Sequence, residues 1–213
     1  MIAGPKVDIY VGPSMKHYNL PKLLLCHYSD YFDRCFNGEF AEGESQKLTL
    51  PEDNIADFEV LLEYMLRGSV SYPIVVTEEG AEAVKRCMDF LEYADKYNLG
   101  GACDAAHDAL KRALTEPHYP SIGWGGNASV PTIDEANIEL VYRIALPDSK
   151  LRTLAAQAAL STKGFQHIFE FEKQIDEVPG FASQLIKQMV ESLITRAGSN
   201  IWEDPLTGRA KTL

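Results

Sequence analysis

The spacing of hydrophobic residues changes at Pro51, and that change constrains what the chain can fold into. Before it, Val7, Ile9 and Val11 alternate with Asp8 and Tyr10, the signature of a half-buried strand. Gly12 and Pro13 in "GPSM" break the run, Tyr18 and Leu20 resume the alternation, and "KLTLP" reads as a third strand stopped by Pro51. After it, Ile55, Phe58, Leu61, Leu62, Met65 and Leu66 recur at three-four spacing, one face of a helix that Gly68 would end. Together the two patterns predict an α+β fold with a small sheet near the start of the chain and helices after it.

Between the second and third strands lies "NLPKLLLCHYSDYF", residues 19–32. Pro21 suits a first helical position, where its missing N–H removes nothing, and it opens the leucine run Leu23 to Leu25. Asp30 is a candidate cap for a second short helix carrying Tyr31, Phe32, Cys35 and Phe36, with Gly38 as its stop. "GEFAEGESQ" reads as a polar loop. Asp53 or Asn54 can cap the long helix that follows Pro51. "SYPIVVTEEG" is a connector; Thr77 is the expected start of a helix with Val84, Met88, Leu91 and Ala94 on one face. Gly100 and Gly101 separate it from "ACDAAHDALKRAL". Residues 115–131 hold three prolines and three glycines and read as a linker or long loop. Thr132 and Glu135 then form a capping-box pattern, followed by helices expected near 133–146, 149–161 and 180–197 and by a flexible tail over 198–213.

The composition excludes several functions. Of the 213 residues, 46% are hydrophobic and 24% charged, enough for a buried core. Lys and Arg number 20 against 31 Asp and Glu, and the net charge of −11 repels phosphate backbones and weakens adsorption to anionic lipid. Neither nucleic acid nor a membrane is therefore an expected partner. No apolar run reaches the roughly 18 residues of a spanning helix, and "MIAGPKVDIYVG" lacks the basic-then-apolar shape of a secretory signal. Cys26, Cys35, Cys87 and Cys103 lie in apolar-patterned segments without a close-spaced framework, which predicts reduced thiols in the cytosol or nucleus.

Signs of catalysis are equally sparse. No GxxxxGK(S/T), GxGxxG or GxSxG occurs, and "GWGG" at 123–126 follows no convincing strand. Cys103 and His107 are four apart on a predicted helix, and Cys26, His27 and Cys35 are near one another in sequence. None of them has the paired spacing of a zinc site. Nothing basic is arranged to depress a cysteine pKa. No catalytic residue, metal or cofactor is expected.

Over residues 6–114 the sequence resembles the BTB/POZ family. The resemblance is carried by "VDIYVG", "YNLPKLLLCHYSDYF", "CFNGEF", "KLTLPEDNIADFEVLLEYMLRG" and "LEYADKYNL" in that order, with "SDYF" and "ADKYNL" the most telling. "IELVYRIALPDSKLRTLAAQAAL" is more loosely similar to the helical extension of fungal BTB proteins. The resemblance implies a BTB/POZ fold, a small β-sheet flanked by a helical cluster, followed by an all-α C-terminal extension over 132–197. It implies protein partners and association, not catalysis. Leu24 and Leu25 would face the core, while other positions of their helix lie where the family often dimerises.

Pro21 stands where the family usually has a histidine, so a side-chain hydrogen bond is lost there. Asp8 and Lys22 match a charged pair that lines a pocket near the family's dimer face, with an ordinary ion pair as the alternative. Six residues precede Val7, so the exchanged N-terminal helix and strand of many BTB dimers are not expected; a homodimer through the remaining helical face and a monomer both stay open. Phe40-Ala41-Glu42 matches the hydrophobic-x-Glu motif of adaptors for the cullin-three class of ubiquitin ligase scaffold. Phe40 would be the buried anchor and Glu42 would shape the loop. The alternative folds Phe40 back onto its own domain and leaves Glu42 solvated. The implied role is a substrate adaptor of a cullin–RING ubiquitin ligase. Its rival is a self-associating scaffold or transcription or signalling regulator without cullin binding.

Overall fold

Alternation in the first strand turns every second side chain inward, and three strands are built on that rule. The computed structural model describes residues 4–70, 80–115, 132–163, 170–194 and 201–212. In it β1 (Lys6–Val11) is the central strand, antiparallel to β2 (Lys16–Pro21) and parallel to β3 (Lys47–Leu50). The register sets Ile9 opposite Tyr18 and Leu48, and Val11 opposite Leu50. Val7, Ile9, Val11, Leu48 and Leu50 are buried, while Asp8 and Tyr10 lie on the opposite face with His17 and Asn19. The expected helix start at Thr77 and nearly all of the expected linker over 115–131 lie outside the described residues, while the helix itself is described from Gly80 to Lys96, with Val84, Met88, Leu91 and Ala94 buried as expected.

The chain divides into two compact units, Met1–Ser71 with Asp89–Ala105, and Tyr72–Met88 with Ala106–Leu213. The division runs within α5 (Gly80–Lys96) and α6 (Ala102–Thr115).

In the first unit α1 (Lys22–Tyr28) and α2 (Asp30–Asn37) are separated by a single residue. Leu24 and Leu25 of α1 are buried, as expected, and Leu23 is exposed. The residue that caps α2 is Ser29, not Asp30. Ser29 has extended backbone angles, φ −136° and ψ 118°, and its hydroxyl accepts from the Phe32 N–H at 3.2 Å. The same hydroxyl donates to the Tyr97 carbonyl at 2.6 Å, tying the α1–α2 hinge to the end of α5. Asp30 instead accepts from the Asn98 amide at 2.9 Å. Tyr97 stacks on Phe32 with ring centroids 5.2 Å apart, so "SDYF" and "ADKYNL" meet in space.

Asn54 caps α4 (Ile55–Arg67), accepting from the Ala56 N–H at 2.8 Å, and Gly68 ends it in the left-handed conformation at φ 70°. Asp53, the other candidate cap, has a different task. Only 5% exposed, its carboxylate takes Lys96 Nζ at 2.6 Å on one oxygen and the hydroxyls of Tyr93 and Tyr97 on the other. Burial pushes its pKa up, but the bonds from Lys96, Tyr93 and Tyr97 outweigh that and hold it below the usual carboxylate range. The two tyrosines are raised in turn, by burial first and then by the carboxylate they bond.

The second unit contains α7 (Glu135–Ile144), α8 (Lys150–Lys163), α9 (Glu172–Glu177) and α10 (Phe181–Ile194). Asp134 and Asn137 make the capping box of α7, two residues beyond the expected Thr132–Glu135 pair. Arg152 lies over the Tyr142 ring and donates to the carbonyls of Tyr142 and Ala145, satisfying the otherwise open end of α7. Where a flexible tail is expected, β4 (Ile201–Glu203) and β5 (Ala210–Thr212) pair as an antiparallel hairpin. Its turn is organised by buried Asp204, whose carboxylate accepts from the N–H groups of Leu206 and Thr207 and from the Ser161 hydroxyl.

Asp53→Ala is expected to cost about 2–4 kcal/mol in urea unfolding, because it strands two buried tyrosine hydroxyls and removes the partner of Lys96. A carboxylate with a lowered folded pKa gives stability that is complete above its unfolded value, near pH 4, and is lost as pH falls through the folded value. Asp53→Asn should flatten that acid limb of the stability profile.

Candidate partner-binding site

Between Phe36 and β3 the chain leaves the core, and its turns there are set by backbone contacts. Gly38 closes α2 with its N–H on the Arg34 carbonyl at 3.0 Å. Phe40 follows in extended conformation and caps α3 (Ala41–Ser45), its carbonyl accepting from Gly43 and Glu44. A side chain at Gly38 would meet the Arg34 carbonyl and lie 3.3 Å from the Phe40 ring; one at Gly43 would run into the Gly38 carbonyl. These close approaches admit only glycine.

The result is a fixed turn with its largest side chain outward. Phe40 is 62% exposed and is not folded back onto the domain. Glu42 is half-buried. Beneath this turn, Tyr31 and Cys35 of α2 are also half-buried. Burial pushes the Tyr31 phenol up to about 12, helped by Cys35 and by the negative charges of Glu42 and Asp53. Burial also raises the Cys35 thiol, with Glu42 adding to it and the Tyr31 hydrogen bond opposing it. The charge of Glu42 thus acts on both Tyr31 and Cys35. The Tyr31 ring meets the edges of Phe32 and Tyr97, at 5.4 and 5.0 Å, so the floor of the patch is continuous with the Asp53 cluster.

Asp8 and Lys22 are not bonded to each other. Asp8, on the outer face of the sheet, accepts from Asn19 at 2.8 Å and pairs with His17 at 2.7 Å, and these two bonds lower its pKa. Lys22 reaches the other way and donates to the Phe36 carbonyl at 2.7 Å. The two residues the sequence groups together thus serve different places, the sheet face and the end of α2.

Of the groups weighed as metal ligands, Cys26 and His107 have other partners. Cys26 lies by the Phe32 carbonyl and the Asn37 amide, and His107 bonds Asp108 at 2.8 Å. Burial raises Cys26 and Cys103, and pushes Cys87 up to about 12, so each is held as the thiol. Among the described residues no three His, Cys, Asp or Glu side chains converge to hold an ion, and no helix is long and apolar enough to cross a membrane.

The sequence motif names Phe40 and Glu42 as candidates; Tyr31, whose spacing reads as core, and Gln46, whose left-handed backbone has no signature in its residue type, carry no such signal. The family model of the BTB/POZ domain matches residues 6–114. No curated protein matches the chain.

Gly43→Ala is expected to lower stability by about 1–3 kcal/mol, as an overpacked contact against backbone does. Gly100→Ala, whose new atom would sit 4.0 Å from its nearest neighbour, should shift it by less than about 1 kcal/mol in the same thermal melts.

Proposed function

This chain belongs to the BTB/POZ domain family, and from that membership we propose that it is a substrate adaptor of a cullin–RING ubiquitin ligase. The chain is a protein–protein interaction module. What supports the finer reading is the 62% exposed ring of Phe40, held outward on a glycine-braced turn in the loop where adaptors carry a hydrophobic-x-Glu motif. An aromatic side chain with two rotatable bonds, kept in water by a fixed backbone, is suited to fill an apolar pocket on a scaffold of the cullin-three class. Glu42, half-buried beside Tyr31 and Cys35, would hold the inner side of that contact. The helices of the second unit would support the scaffold or receive the client protein.

A self-associating scaffold is the second reading, and one observation favours it. Leu23 of α1 is 66% exposed, on the helix through which the family often dimerises. Light scattering during size exclusion distinguishes the two states. A monomer at all accessible concentrations removes this reading.

For the adaptor reading, titration calorimetry against a purified cullin N-terminal domain is decisive. Wild type is expected to bind, and Phe40→Ala to lose about 2 kcal/mol, roughly a 30-fold weakening. Equal binding by both proteins would take Phe40 out of the contact, and no binding by wild type would leave the scaffold reading in its place.

A further inference from the structure

We propose that Gln46 is the positioning residue that sets the Phe40 turn, an inference that rests on the adaptor reading for its functional consequence. Gln46 follows α3 and takes the left-handed conformation, φ 54° and ψ 34°, which residues with a side chain rarely adopt. From there its side-chain NH₂, its backbone N–H and its backbone carbonyl are all used. Its side-chain Nε2 donates to the Phe36 carbonyl at 3.1 Å and to the Gly43 carbonyl. Its backbone N–H donates to the Glu42 carbonyl at 2.8 Å, and its own carbonyl accepts from the Asp8 N–H at 3.0 Å.

The two side-chain bonds matter because of where they fall. Phe36 lies before the turn and Gly43 after its apex, so one carboxamide closes the excursion that carries Phe40. The Phe36 carbonyl belongs to the open end of α2, where the helix itself supplies no partner. It takes Lys22 Nζ on one side and Gln46 Nε2 on the other, filling both lone pairs. An amide NH₂ carries two donors and can serve both carbonyls at once. A carboxylate would face both with lone pairs. The Phe40 ring is mostly in water, so packing does not fix it, and its direction is inherited from the backbone that Gln46 closes. Fixing that backbone beforehand spares the ordering cost when a partner takes up the ring.

The test uses the full chain as wild type, Gln46→Ala, Gln46→Glu and Gln46→Gly. Amide hydrogen exchange is read at Gly43, Glu44 and Gln46 (or the substituted residue), with β1 amides as the internal reference for intact folding. In Gln46→Ala and Gln46→Glu, exchange at Gly43 and Glu44 is expected to rise about 10-fold or more while β1 is unchanged, and affinity for the cullin N-terminal domain to fall about 10-fold. Gln46→Gly separates side chain from backbone, since glycine accepts the left-handed conformation without strain. It should behave like the alanine variant. Wild-type protection in Gln46→Ala and Gln46→Glu, or full protection in Gln46→Gly, would overturn the assignment. Failure of wild type to bind the cullin domain would end the adaptor reading alone, because the exchange pattern still decides whether Gln46 sets the turn.

Discussion

The carboxylate of Asp53 is the point on which the first unit depends. It is buried at the corner between β3 and α4, and its partners Tyr93, Lys96 and Tyr97 come from the last turn of α5 and the residue just beyond it, 40 to 44 residues away in sequence. Desolvation and bonding oppose each other here. Burial alone would favour the neutral acid, yet three donors, one of them the Lys96 cation, keep the charged form. Lys96 remains half in water and lies over the rings of Tyr93 and Tyr97, at 5.8 and 5.3 Å. The charge pair therefore avoids the full cost of a buried ion pair while anchoring α5 to the sheet's far end.

From this anchor, order passes toward the exposed patch by contact. Tyr97 gives its hydroxyl to Asp53, its ring to Phe32 and Tyr31, and its carbonyl to the Ser29 hydroxyl. Ser29 fixes where α2 starts, and Lys22 with Gln46 fixes where it ends. A short helix tied at both termini by side chains from elsewhere in the chain is a rigid base, although its own length would give it little helical stability. The turn bearing Phe40 and Glu42 stands on that base.

How much of this could be read beforehand follows from the range of each interaction. The strands, α4 and its glycine stop, and the inward pair Leu24 and Leu25 were legible because local spacing determines them. Caps were misplaced by one or two residues, at Asp30 for Ser29 and at Thr132 for Asp134. A cap is chosen by which residue takes extended backbone angles, and several neighbouring side chains could serve. The helices α3 and α9 are too short to display a period. The strands of the β4–β5 hairpin are only three residues long, and its turn is organised by one buried aspartate. The Asp53 cluster joins residues distant in sequence, each of which reads as ordinary on its own. At the site, Phe40 and Glu42 were visible as a motif, but whether the ring faced solvent depended on backbone approaches at Gly38 and Gly43 that residue order does not reveal.

Exposure alone does not single out Phe40, since Leu66, Leu146, Ile186 and Val190 are exposed as well. Leu66, Ile186 and Val190 sit on regular helices, where some apolar positions face outward as a consequence of the helical turn. Phe40 is different in kind. Burying a phenylalanine side chain stabilises a fold by roughly 1.5–3 kcal/mol, and a supple polar loop would let the ring swing inward to gain it. Here the loop is not supple. Two glycines in backbone contact, a left-handed Gln46 and a carbonyl bonded by two side chains hold the ring away from the core. A turn so constrained forgoes burial within its own chain, and the energy forgone becomes available when another protein covers the ring. That trade is the physical argument for the proposed docking surface, with the Phe40 ring at its centre.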